Sequence, residues 1–177
     1  MILPKVKGVA MSGNAFDFVP YDKGLVYKGP SDVSDIQRIE DMLGITIFNK
    51  TFVEYLKTCS CIFKNNDKKK EKLFGVAKDN NVLSIISNTL EFRQQKFGYE
   101  DVNNVNKYIV LSNDTINNYD AYILTDQNYI YFKYRLLRKI HPTNLTLDMF
   151  LYKFIIEGKT IYEILKKYNF HNIDQSL

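Results

Sequence analysis

Apolar positions recur at two different periods along this chain, and the change of period organises it. Val33, Ile36, Ile39 and Leu43 are spaced by three and four, the repeat that lines one face of an α-helix. Ser31 or Ser34 stands where an N-cap belongs, Gln37 lies three residues beyond Ser34 to complete a capping box, and Gly44 is placed to end the helix. A second helix is expected within "NKTFVEYLKTCSCIF", where Phe52, Val53, Leu56, Cys59 and Phe63 gather near one face. Its end is left open, because "CIFK" and "LFGVAK" equally suit the arms of a hairpin with "NNDKKKE" at its tip. A third helix is expected within Asn81–Phe97, with Leu83, Ile86 and Leu90 in helical phase and Gly98 closing it.

The period then shortens to two. "NKYIVL", "AYILT" and "NYIYFKY" are rich in Tyr and Ile and are separated by Asn/Asp turns, which predicts a short antiparallel sheet. Strand and turn signals also occupy the start of the chain, in "VKGVAM", "AFDFV" and "LVYK", with a turn at Pro20–Gly24 and a stop at Gly29-Pro30. After Pro142 the pattern becomes helical again, and "LTLDMFLYKFII" leads to Gly158. Thr160-x-x-Glu163 opens a last helix as a second capping box, with Ile161, Ile164, Leu165 and Tyr168 on its buried side. No repeat, heptad run or linker interrupts residues 1–177. The expected fold is α+β, a single domain with a small antiparallel sheet and about five helices.

Composition narrows the class. A chain of 177 residues with 45% hydrophobic and 25% charged positions is long enough for one sizeable core, and its globular balance argues against wholesale disorder. The net charge of +4 permits an acidic partner without requiring one. Asn, Lys, Ile, Tyr and Phe abound, with 13 Tyr, 12 Phe and no Trp. These residues share AT-rich codons, which points to an AT-rich genome such as that of a low-GC bacterium, its phage, a large DNA virus or certain parasitic eukaryotes. "MILPKVKGVAMSG" is broken by Pro4, Gly8 and two lysines, unlike the apolar core of a signal peptide. No stretch reaches the roughly 20 apolar residues of a spanning helix. A cytoplasmic or virion location is expected, with no membrane. Cys59 and Cys61 are separated by one residue, too close for an ordinary disulfide staple, so both are expected as free thiols.

Four motifs bear on chemistry. Gly13-x-Ala15-x-Asp17 resembles part of the zinc-site signature of the D-Ala-D-Ala carboxypeptidase and endolysin peptidase family, and "FDFVPY" extends the likeness. That family has a zinc-binding His where this chain has Ala10 and a Ser where it has Gly8, and His141 and His171 both lie far downstream. Zinc takes several protein ligands in defined geometry, so Asp17 alone makes no site and is expected on a strand near a turn. Gly158-Lys159-Thr160 matches only the tail of a phosphate loop, whose opening glycine is replaced by Lys153. Arg135 and His141 are separated by five residues, which resembles the Arg-x(4–6)-His motif of HEPN-type ribonucleases, where a helix presents both side chains to an RNA cleft. Here Leu136 takes the place of the usual polar residue, and Pro142 puts His141 at a helix end or in a turn. "TIYEILKKYNFHNIDQ" looks like the opening of a helix-turn-helix without its recognition helix. No cofactor and no metal are expected.

One surface stands out. If 129–136 is a strand, Tyr129, Tyr131, Lys133 and Arg135 share one face, and Ile130, Phe132, Tyr134 and Leu136 share the other. The apolar set suits a core. The Tyr/Lys/Arg set, expected to be exposed, suits a protein interface, where Tyr and Arg are enriched, or the stacking of bases and neutralising of phosphates. The lysine run Lys68–Lys72 is expected as a solvated loop tip. The expected function is therefore a non-enzymatic protein–protein interaction or assembly role, with a protein partner or homo-oligomer, in a virus or phage with an AT-rich genome. The alternative is a nucleic-acid-binding protein or metal-independent ribonuclease using Arg135 and His141. Purified protein should contain no stoichiometric zinc, and Asp17→Asn should leave its metal content unchanged with at most a modest stability loss. Elemental analysis beside thermal melting checks both.

Overall fold

In a computed structural model of the chain, the described residues are 25–28, 31–58, 61–66, 69–76, 84–95, 105–114, 119–124, 128–134 and 140–169. Seven strands follow one another in space as they do in sequence: β1 (Leu25–Lys28), β2 (Cys61–Asn66), β3 (Lys69–Leu73), β4 (Tyr108–Asp114), β5 (Tyr119–Leu124), β6 (Tyr129–Tyr134) and β7 (His141–Thr146). Every neighbouring pair is antiparallel. Helices α1 (Val33–Leu43) and α2 (Lys50–Thr58) fall between β1 and β2, and α3 (Ile85–Gln94) falls between β3 and β4. Helix α4 (Leu147–Leu151) leaves β7 directly and widens into a π-helical turn at Tyr152–Ile156, before α5 (Ile161–Asn169). The architecture is α+β, as the change of period predicts.

Local signals place α1 and α5 well. Gly44 ends α1 in the left-handed conformation at φ 62°, which costs a glycine little. The capping box, however, is built by Asp32 and Asp35 rather than by a serine. The Asp32 carboxylate accepts from Asp35 N–H at 2.9 Å, and Asp35 accepts in return from Asp32 N–H at 3.2 Å. Ile36, Ile39 and Leu43 are buried, whereas Val33, in the first turn, is 72% exposed. At α5 the expected box is present: Glu163 accepts from Thr160 N–H at 2.8 Å, and Thr160 Oγ1 accepts from Glu163 N–H at 3.1 Å. Ile161, Ile164 and Leu165 are buried beneath it.

Two segments depart from the sequence pattern. The second helix stops at Thr58, and the next described residue, Cys61, opens the hairpin β2–β3, whose register pairs Ile62 with Leu73 and Asn66 with Lys69. The β-branched and aromatic content of "CIF" thus prevails over the helical phase carried forward from Phe52. The chain after His141 also forms a strand before it forms a helix, with Pro142 opposite Tyr131. Proline is tolerated there because β7 is the last strand in the sheet, where a missing N–H costs no central ladder bond. The segments "VKGVAM" and "AFDFV", Asp17, Cys59, Lys68, Gly98, Arg135 and His171 lie outside the described residues.

The register draws one row across the whole sheet: Tyr27, Ile62, Leu73, Ser112, Ala121, Phe132 and His141 are successive Cα partners. Ile62, Leu73, Ser112 and Phe132 in that row are buried. The middle strand β4 goes further, since five consecutive residues, Tyr108 to Ser112, are all buried. Side chains alternate along a strand, so this run requires cover on both faces. A register shift between Val110 and Ser112 sets Leu111 apart as a bulge against β5. Beside it, Val110 N–H donates to the buried Thr89 hydroxyl of α3 at 3.1 Å, and Phe74 N–H donates to Leu111 C=O at 2.8 Å.

Buried polar groups tie the helices to this sheet. Tyr55 of α2, fully buried, donates its hydroxyl to Phe74 C=O at 3.0 Å. Arg93 of α3 donates to Leu43 C=O at 2.6 Å and to Asn106 C=O, so a guanidinium serves the C-terminal end of α1, which has no basic residue in its own last turn. Burial holds the Arg93 pKa below its usual value. Glu71 departs most from expectation. It belongs to the lysine run, yet it is only 3% exposed and accepts from Ile161 N–H at 2.7 Å, at the first turn of α5. A carboxylate at a helix N-terminus complements the partial positive charge of the open amides. On the other side of α5's approach, the Glu157 carboxylate lies 2.8 Å from Lys159 and 3.7 Å from Lys153, and the hydrogen bond from Lys159 leads in holding its pKa below the usual carboxylate range.

Glu71→Ala should lower stability by about 1–3 kcal/mol, the cost of stranding a buried partner. Glu71→Gln, which keeps an acceptor, should lose less, and urea denaturation followed by far-UV circular dichroism measures both. Equal stability of Glu71→Ala and the parent would show that α5 docks without this bond.

Candidate interaction surface

Strand β6 obeys the predicted alternation. Ile130 and Phe132 are fully buried on one side, as a core face requires. The opposite side is not uniformly open. Tyr129 is 48% exposed, Tyr131 is half-buried with its ring edge-on to Tyr108 at 5.5 Å between centroids, and Lys133 is only 8% exposed. Exposure of the whole face was the expectation, and Lys133 corrects it. In the backbone register Lys133 stands opposite Asp120 of β5, and that row continues to Asn113 of β4 and Lys72 of β3. Arg135 lies outside the described residues, so the four-residue face is described only at Tyr129, Tyr131 and Lys133.

His141 opens β7 opposite Phe132, half-buried, with the two rings 5.5 Å apart and tilted by 31°. The elements on either side of the Arg135–His141 interval are strands, ending at Tyr134 and beginning at His141. Of the two motif residues, the described one, His141, lies on a strand rather than on the helix that the HEPN resemblance implies. Gly158, at φ 68°, ends the π-helical turn, and Thr160 caps α5, so Gly158-Lys159-Thr160 is a helix connection. Among the described residues no group of three or more His, Cys, Asp or Glu side chains is placed to hold a metal ion. No helix among them is long and apolar enough to cross a membrane.

A second exposed aromatic, absent from the sequence reading, joins Tyr129. The segment between α1 and α2 alternates, with Ile47 and Asn49 buried and Thr46, Phe48 and Lys50 exposed. Phe48 is 69% exposed. The segment is held at several points. Ile45 N–H donates to Glu40 C=O at 3.0 Å, and Ile47 N–H donates to the Glu40 carboxylate at 2.7 Å. Asn49 caps α2 by accepting from Phe52 N–H at 3.0 Å, and its amide donates to Asn128 Oδ1 at 3.1 Å. Asn128 is itself fixed, since its carbonyl accepts from Leu147 N–H at 2.9 Å. The Asn49–Asn128 bond thus joins the residue after Phe48 to the residue before Tyr129. The signal was present in the sequence as a period-two "ITIFN" that puts Phe48 on the side of Thr46 and Lys50. The long-range bond to Asn128 connects it with the residue before β6.

No protein-family model and no curated protein matches the chain.

The two halves of the predicted face should respond differently to substitution. Tyr129→Ser should change stability by no more than about 0.5 kcal/mol, as exposed positions do. Lys133→Ala should cost about 1–3 kcal/mol, as truncation of a buried side chain does. Paired urea titrations separate them, and equal, negligible losses would show that the burial of Lys133 contributes nothing to stability.

Proposed function

We propose that this chain is a non-enzymatic interaction or assembly protein that docks a protein partner or a second copy of itself through the surface carrying Phe48 and Tyr129. The observation that carries the reading is the exposed Phe48 on a segment already fixed by Glu40, Asn49 and Asn128. Isolated exposed apolar residues are ordinary on protein surfaces. An aromatic side chain on a pre-ordered backbone, joined by a hydrogen bond to the segment of another exposed aromatic, is better suited to binding. Large rings supply much of the energy at interface centres, and a fixed backbone leaves little ordering cost to be met on association. A virus or phage source, with a place in the host cytoplasm or the virion, is part of the proposal; the AT-rich residue usage fits it as it fits a low-GC bacterium.

The nucleic-acid alternative relied on Lys133 and Arg135 as phosphate contacts beside stacking tyrosines. With Lys133 buried, the described part of that face keeps aromatic rings and lacks an exposed cation at that position.

Phe48→Ser combined with Tyr129→Ser should retain the fold and reduce recovery of a co-purifying protein, or dissociation-resistant self-association, by tenfold or more. Affinity capture from the native source and analytical ultracentrifugation give the two readouts. Unchanged capture and unchanged sedimentation in a folded double variant would overturn the reading. Binding to single-stranded RNA or DNA that weakens steeply with salt, and survives the double substitution, would move the assignment to nucleic acid through counterion release at other cations.

A further inference from the structure

We draw no further inference here: the strongest candidate, the apolar patch of Phe48 and Tyr129 on either side of the Asn49–Asn128 hydrogen bond, belongs to the surface already described, and nothing in the structure shows what covers it.

Discussion

Burial of β4 on both faces is the constraint from which the rest of the fold follows. An antiparallel sheet with one wet face needs a single layer of helices, and its strands alternate apolar with polar. Tyr108–Ser112 does not alternate, because every residue in it is buried. Cover on both sides brings helices against a strand whose bulge disturbs its own ladder. Each polar group enclosed in the process then needs a partner. Thr89 answers Val110, Leu111 answers Phe74, and Phe74 in turn receives Tyr55. These bonds link α2, α3 and the β3–β4 junction into one connected set. The junction otherwise rests on two register pairs, Lys72–Asn113 and Leu73–Ser112.

What could be seen in the sequence was what depends on near neighbours. The Ile36, Ile39 and Leu43 part of the α1 stripe, its terminal Gly44, the Thr160–Glu163 box and the three Tyr/Ile strands are local patterns, and the structure contains them. What escaped depends on residues far along the chain. Glu71 sits in a lysine run that looks solvated, and only Ile161, ninety positions away, makes it a buried acceptor. The alternation of β6 was legible, but the depth of Lys133 was not, because burial on the second face depends on residues distant in sequence. Strand β7 was hidden by Pro142, which argues against a strand anywhere but a sheet edge. Phe48 was visible as an outward position, and the Asn49–Asn128 bond beside it was not.

The proposed surface is an outcome of the same accounting. Asn49 is buried and has two tasks, holding the first turn of α2 and reaching Asn128. A cap residue is normally satisfied by its own helix. Here its amide group also reaches the residue before β6, so loosening of the α2 cap would disturb a bond that holds the backbone beside the exposed Phe48.

Pro142 has a consequence beyond its tolerance in β7. A sheet edge with a regular series of free amides is a template on which another strand can grow, within an oligomer or in disordered aggregation. At Pro142 the backbone offers no N–H, and the ring stands exposed on the outermost described strand. A further strand laid along β7 would find no amide to pair with at Pro142, and proline is among the residues that blunt a sheet edge against growth by backbone pairing.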